Sequence, residues 1–271
     1  MSMPRIEIKI CGLTSPEAAL ACVAAGADAI GMVFHPASPR NLGPIQAREI
    51  AAVLPDGVAK TGVFVNQTAD EIFRIASQVG LDTVQFHGAP TASLYDILAR
   101  NGLHVVQKLC GSEIRLLAQA RLLPPAAGVL VECGRGTLPG GNGTPWNWGE
   151  ASVLRDIRPF AVAGGLDASN VAQALAISGA SGVDVSSGVE AAPGIKDMGK
   201  VTAFVAAVRT SRACGRGNVF NSSGEAFAKS LQENVGNGVP PSISCKKRCR
   251  GTGGAPSLPQ EVLQEPPELR S

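Results

Sequence analysis

Cys11 and Glu132 are the two residues of this sequence best suited to acid–base chemistry. Cys11 follows a short apolar stretch, residues 6–10, and precedes a helix-start signal, whereas Glu132 ends the apolar stretch 128–131. In a βα-barrel the C-terminal end of a strand faces the active site, so these two side chains would meet across one mouth. A thiol and a carboxylic acid placed in this way form a candidate acid–base pair. The alternative for Cys11 is a small, packed core residue.

Four more polar residues lie at or just after predicted strand ends: Arg40, Gln85, His87 and Asp184. A guanidinium in the loop that holds Arg40 can bind a carboxylate bidentately. Asp184 lies inside an apolar stretch, where an unpaired carboxylate is costly. We therefore expect it to bind a substrate hydroxyl or, alternatively, neighbouring backbone. Gln85 and His87 are expected to line the same pocket, although a core histidine is an equal alternative for His87.

Three glycine-rich loops late in the chain predict a phosphate site. They supply Gly141 and Gly143 after the sixth strand, Gly164 and Gly165 after the seventh, and Ser186, Ser187 and Gly188 after the eighth. In barrels, the loops after strands seven and eight often bind phosphate through backbone N–H groups and a helix N-terminus. Glycine lets the backbone approach the oxygens, and serine adds a hydroxyl donor. Tight βα turns are the alternative for any one of these loops.

Strand-like and helix-like stretches alternate eight times along residues 1–211. The predicted strands are 6–10, 29–34, 59–65, 83–86, 104–109, 128–131, 160–163 and 182–185. The predicted helices are 16–25, 45–54, 69–79, 92–101, 113–122, 148–154, 168–178 and 198–209, with Thr68 and Asp167 as caps. This pattern predicts an α/β fold, a single (βα)8 TIM barrel. A doubly wound open sheet is the alternative, but its usual glycine fingerprint after the first strand is absent.

The composition limits the partners and the compartment. The formal net charge is only +2, so we expect no attraction to nucleic acid or to a membrane surface. Seven cysteines without a paired framework are typical of a reducing cytoplasm, where we expect the protein to work. Cys245 and Cys249 have the spacing of metal ligands but lack a second Cys or His pair, so no metal is expected.

Residues 212–271 differ from the rest of the chain because they are rich in Gly, Pro, Ser and Asn. Such a segment cannot bury enough apolar surface to order itself, so we predict a disordered tail with one short helix around 225–233. An alternative origin for this segment is translation past a normal stop.

The motifs, taken together, resemble the phosphoribosylanthranilate isomerase family of tryptophan biosynthesis. The resemblance covers about residues 5–210. The matching blocks are, in order, KICGLT at 9–14, GMVF at 31–34, SPR at 38–40, GVFVN at 62–66, VQFHG at 84–88, GGNG at 140–143, AGGL at 163–166, VDVSSGVE at 183–190 and PGIKD at 193–197.

The resemblance implies a (βα)8 barrel without a cofactor that carries out an Amadori rearrangement of N-(5-phosphoribosyl)anthranilate. It implies that Cys11 removes the proton from ribose C2 and that a carboxylic acid, here Glu132, protonates the ring oxygen. Arg40 would bind the anthranilate carboxylate, and the glycine loops would bind the phosphate. We accordingly expect a small phosphorylated substrate and a monomer or homodimer.

The sequence departs from the family pattern at the acid. The family usually carries Asp where this chain has Glu132, and a one-residue slip would place Cys133 there instead. Residues 146–148 read WNW where FDW is usual, and Phe86 replaces a leucine. Two other interpretations remain. One is a related histidine-pathway isomerase, which would need an aspartate in place of Cys11; the other is an inactive phosphate-binding barrel.

Overall fold

The computed structural model describes residues 5–88, 92–132, 145–211 and 217–221. In this part of the chain, eight parallel strands form a closed barrel in sequence order, which confirms the predicted fold. The barrel strands are β1 Glu7–Cys11, β2 Ala29–Val33, β3 Ala59–Phe64, β4 Thr83–Phe86, β5 His104–Leu109, β6 Gly128–Val131, β7 Ala161–Val162 and β8 Gly182–Val185. The barrel closes where Lys9 of β1 lies opposite Asp184 of β8.

Seven α-helices and a 3₁₀ helix surround the barrel in the described residues. The α-helices are α1 Pro16–Ala25, α2 Pro44–Val53, α3 Ala69–Val79, α4 Ala92–Arg100, α5 Glu113–Leu122, α6 Val171–Ser178 and α7 Met198–Thr210. A 3₁₀ helix, Trp148–Leu154, replaces the predicted sixth helix. No helix in the described part of the chain is both long and apolar enough to cross a membrane.

The helix ends show which cap predictions hold. Thr68 caps α3 in a capping box with Glu71, as predicted. Asp167 makes the side-chain hydrogen bonds of a cap, since its Oδ1 accepts the amides of Ser169 (2.8 Å) and Asn170 (3.2 Å), but the residues that follow it form a turn and not yet an α-helix. The helix therefore begins only at Val171.

A short antiparallel hairpin follows β8 and was not predicted. A 3₁₀ turn, Ser187–Val189, leads into β9 Glu190–Ala192, which pairs with β10 Ile195–Lys196. Gly194, with a φ of +82°, makes the turn between the two strands. The hairpin carries Glu190 and Lys196 back to the barrel mouth, where both side chains are buried.

Residues 217–221, here called the plug, correct part of the tail prediction. Val219 and Phe220 are fully buried against small residues at the N-terminal end of the barrel interior, among them Ala29, Ala59 and Ala161. An aromatic ring fits there because alanine side chains leave the interior open. Disorder is therefore wrong for the plug.

Hydrogen bonds from the backbone of the plug to three side chains fix it to the first residues of β1, β4 and β5. The amides of Val219 and Phe220 both donate to Oε2 of Glu7. Thr83 Oγ1 donates to the carbonyl of Phe220 (3.0 Å), and His104 Nε2 lies 2.8 Å from the carbonyl of Val219. Since Glu7 and His104 begin β1 and β5, the plug closes the mouth opposite the strands' C-terminal ends.

The chain divides into two compact units, residues 1–232 and 233–271, and all described residues belong to the first. Residues 212–216 and 222–271 lie outside the described residues, together with the predicted helix at 225–233, Cys245 and Cys249. The disorder of those segments stays a prediction.

Candidate active site

A cleft opens at the C-terminal ends of the barrel strands, the end at which barrel enzymes bind their small-molecule substrates. Most of the predicted site residues line it: Cys11, Arg40, Gln85, His87, Glu132, Gly164, Gly165, Asp184, Ser186, Ser187 and Gly188. Gly141 and Gly143 lie outside the described residues, as does Cys133.

Cys11 ends β1 and is buried. Gly31 of β2 makes room for the thiol, because a Cβ at that position would lie 2.6 Å from Sγ of Cys11. Burial raises the pKa of the Cys11 thiol, while the charge on Lys9 is the strongest influence that lowers it. Formation of a thiolate at Cys11 therefore depends on the buried lysine.

Lys9 is a site residue that sequence reasoning missed. It is completely buried inside the barrel, and its Nζ donates to Oδ2 of Asp184 at 2.7 Å. Successive side chains of a strand alternate between its faces, so Glu7, Lys9 and Cys11 share the inner face of β1. That spacing was a signal that could have found Lys9.

Asp184 thus has a side-chain partner, whereas the sequence suggested either a substrate hydroxyl or neighbouring backbone. Its second oxygen, Oδ1, is buried and has no hydrogen-bond partner among the described residues. A buried acceptor without a partner is costly. Because Asp184 lines the cleft, Oδ1 is available to accept a ligand hydroxyl.

Glu132 follows β6, and its backbone amide donates to the carbonyl of Leu109 at 3.0 Å. Its Oε2 lies 4.0 Å from Nδ1 of His87, and Nε2 of His87 lies 3.0 Å from Nε2 of Gln85. His87 contacts Gln85 through one ring nitrogen and lies beside Glu132 with the other. His87 therefore belongs to the cleft.

Gly164 leaves space for the side chain of Glu132. Its φ is +84°, and a Cβ there would lie 3.3 Å from Cγ of Glu132 and 3.2 Å from Nε1 of Trp146. Trp146 in turn donates to the carbonyl of Ala163 at 2.8 Å. A side chain at position 164 would therefore press on both Glu132 and Trp146.

Arg40 is buried and lines the cleft, but the edge expected to hold a ligand carboxylate is already in use. Its Nε and Nη2 donate to Oε1 (2.8 Å) and Oε2 (2.6 Å) of Glu190. The aliphatic part of Arg40 crosses Gly12, where a Cβ would lie only 2.4 Å from Cδ of Arg40. What Arg40 can offer a ligand is its remaining Nη1 edge.

The two described glycine loops lie side by side. A Cβ on Gly188 would lie 1.9 Å from the carbonyl oxygen of Leu166, so only glycine allows this backbone-to-backbone contact. Ser186 Oγ donates to the carbonyl of Cys11 at 3.0 Å, so its hydroxyl proton is not the free donor that we expected. Gly164, Gly165, Ser187 and Gly188 all line the cleft.

Glu190 and Lys196 are two more residues that the sequence did not single out. Both lie within matched sequence blocks, but their approach to Arg40 depends on the hairpin, which no local pattern predicts. They lie 150 and 156 positions from Arg40 in sequence, yet the three charged groups form one cluster.

The chain is similar to known proteins along most of the barrel. Residues 8–207 match the model of the N-(5'-phosphoribosyl)anthranilate isomerase family. The N-(5'-phosphoribosyl)anthranilate isomerase of Pseudomonas paraeruginosa is 45% identical over 208 residues, which are 77% of this chain and 97% of the relative.

Two solved structures show the same likeness. A phosphoribosyl anthranilate isomerase in complex with reduced 1-(o-carboxyphenylamino)-1-deoxyribulose 5-phosphate has a TM-score of 0.66 and 34% identity; the match covers 75% of this chain and 98% of that one. Monomers generated from the dimeric phosphoribosylanthranilate isomerase of Thermotoga maritima give the same values.

Proposed function

Because the chain belongs to the N-(5'-phosphoribosyl)anthranilate isomerase family, it is an isomerase of tryptophan biosynthesis, and we propose that Cys11 and Glu132 carry its acid–base chemistry. The observation that supports this assignment most is that both side chains line one cleft at the C-terminal mouth. In barrel enzymes the catalytic groups come from the ends of different strands at that mouth.

Glu132 acts first, as general acid. It donates a proton to the ring oxygen of the ribose, the C1–O bond breaks, and the nitrogen lone pair forms a Schiff base at C1. His87 lies beside this carboxyl group with its Nδ1 4.0 Å from Oε2. The glutamate stem is one methylene longer than the family's aspartate, and Gly164 leaves room for that length.

Cys11 acts second, as general base. Its thiolate removes the proton from C2, and the electron pair moves through the Schiff base to give an enolamine, which tautomerises to the 1-deoxyribulose 5-phosphate form. The protons balance, since the ring oxygen and C1 each gain one while C2 and its hydroxyl group each lose one. Oδ1 of Asp184, which lacks a partner among the described residues, accepts a ribose hydroxyl in this arrangement.

The substrate's two anionic ends bind on different sides of the cleft. The loops at Gly164–Gly165 and Ser187–Gly188 hold the phosphate through backbone N–H groups, and Nη1 of Arg40 holds the anthranilate carboxylate. The solved relative with a bound carboxyphenylamino-deoxyribulose phosphate supports a ligand with these two groups.

Turnover is tested by the loss of anthranilate fluorescence when the purified protein meets freshly made phosphoribosylanthranilate. Glu132→Ala should reduce kcat by about 10²–10⁴-fold, the usual contribution of a positioned acid. Glu113→Ala, which removes an exposed carboxylate from α5, is the matched control and should equal the parent. Near-full activity of Glu132→Ala would overturn the assignment of the acid.

The oligomeric state and the location are also proposals. The dimeric relative from Thermotoga maritima supports a homodimer as one of the two expected states, and the cysteine usage supports the cytoplasm. Sedimentation of the purified chain distinguishes monomer from homodimer, and a larger assembly would contradict both.

A further inference from the structure

Glu190 lies behind Arg40 and does not line the cleft. It begins β9 and is buried, and its two carboxylate oxygens accept from Nε and Nη2 of Arg40 at 2.8 and 2.6 Å. Lys196 of β10 donates its Nζ to Oε1 of Glu190 at 2.7 Å. Paired donors on both carboxylate oxygens fix the plane of the guanidinium as well as its position.

The charges of this cluster suit an anionic ligand. Arg40 and Glu190 alone would form a neutral pair, which attracts a carboxylate only weakly. With the Lys196 ammonium included, the three groups carry a net charge of +1. Burial opposes the ionisation of Glu190, but the hydrogen bonds from Arg40 and Lys196 outweigh it and lower its pKa below the ordinary value.

Lys196 is held in turn by its surroundings. Its side chain is inaccessible to solvent, and its Nζ also donates to the carbonyl of Ser186 at 3.2 Å. Burial lowers the pKa of Lys196, and the hydrogen bond to Glu190 opposes that shift. Removing Glu190 would therefore leave two buried cations facing each other, with no carboxylate between them.

We propose that Glu190 is a positioning residue for recognition of the substrate's aromatic carboxylate: it holds Arg40 by one edge so that the other edge faces the ligand, while Lys196 keeps the cluster positive. This inference rests on the proposed function of Arg40. It assigns to Glu190 a role in substrate binding and none in the proton transfers.

The test is a double-mutant cycle on KM and kcat with phosphoribosylanthranilate. Arg40→Ala should raise KM by about 10–100-fold, the value of a charge-assisted hydrogen bond. Glu190→Gln should raise KM by about tenfold and leave kcat within about threefold. In the Arg40→Ala background, Glu190→Gln should change KM by less than about twofold, since its effect passes through Arg40.

Three further variants complete the test. Lys196→Met leaves the Arg40–Glu190 pair in place but removes the net charge, so KM should rise. Because Lys196 also lowers the pKa of Cys11, kcat is compared above the inflection of each pH profile, where it should be little changed. If Glu190→Gln does not fold, Glu190→Asp replaces it and should show the same KM effect. Glu113→Gln, at an exposed site, is the matched control and should leave KM unchanged.

An unchanged KM in Glu190→Gln, or an equal rise in KM with and without Arg40, would overturn the inference. An unchanged KM in Arg40→Ala would overturn the role of Arg40 and this inference with it, while leaving the isomerase activity, judged by turnover of the parent, untouched.

Discussion

The two ends of the barrel differ in whether their buried polar groups have hydrogen-bond partners within the protein. At the catalytic mouth, Oδ1 of Asp184 and Oε1 of Gln85 are buried without a partner among the described residues. At the N-terminal mouth, Glu7, Thr83 and His104 all bond to the plug. Thr61 Oγ1 and Gln119 Oε1 are also unpaired but do not line the cleft, so it is the combination of an unpaired acceptor and a cleft position that leaves Asp184 available to a ligand. The polar groups that bond to the plug contribute to stability instead.

Lys9 lies between the two mouths and is in contact with both. Its Nζ binds Asp184 on the catalytic side and lies 5.8 Å from the centre of the Phe220 ring in the plug. Such a distance suits a cation–π interaction, which strengthens when both partners are away from water. Substitutions at one end of the barrel should therefore affect either activity or stability, whereas a substitution of Lys9 should affect both.

The largest effect is expected from removing the plug. A chain ending at residue 211 loses the buried Phe220 ring and the donors to Glu7, so its free energy of unfolding should fall by about 3–5 kcal/mol, as for Phe→Ala in a core. A chain ending at residue 221 keeps the plug and should match the parent. Denaturant unfolding of both chains checks this prediction, and equal stability of the two would contradict the plug's role.

How much of this the sequence predicts depends on how local each feature is. Cys11, Glu132 and the glycine loops could be placed because each follows directly from a strand end. The plug could not, since its apolar residues, Val219 and Phe220, lie in a polar, glycine-rich segment and become buried only against a completed barrel. The Glu190–Arg40 pair likewise depends on a tertiary contact across 150 positions.

The second prediction concerns the pH dependence of activity. Because burial raises the pKa of Cys11, kcat/KM should increase as the pH rises and the thiolate forms. The charged groups around Cys11 are Lys9, Asp184, Lys196 and Arg40. Lys9→Met removes the strongest of the cations, so the inflection of the profile should move to higher pH. Activity at neutral pH should then fall by about tenfold for each pH unit that the inflection moves.

Lys9→Arg is the control for that experiment, since it keeps the positive charge and should keep more of the parent profile. If Lys9→Met unfolds, Lys9→Gln replaces it as the uncharged variant, and the rate of Cys11 alkylation against pH is compared between Lys9→Gln and Lys9→Arg. A pH profile that is the same in folded Lys9→Met and in the parent would contradict the role assigned to Lys9.

The smallest effect is expected at Glu7. Burial raises the pKa of this carboxyl group against the hydrogen bonds from the plug, so its contribution to stability is complete below the ordinary pKa and is lost as pH rises through the folded value. Glu7→Gln should therefore gain stability relative to the parent as the pH rises from about 4 to about 7. Thermal unfolding at both pH values measures this, and a gain in the opposite direction would show that the ionised carboxylate is what the plug requires.

The most direct test of the acid–base account is the turnover of Cys11→Ala beside Cys110→Ala. Cys110 is exposed and does not line the cleft, so its replacement controls for the loss of a thiol. We predict that Cys11→Ala folds as the parent does and loses about 10²–10⁴-fold in kcat, while Cys110→Ala keeps full activity. A folded Cys11→Ala with the parent's kcat would show that the proton at C2 leaves to some other group.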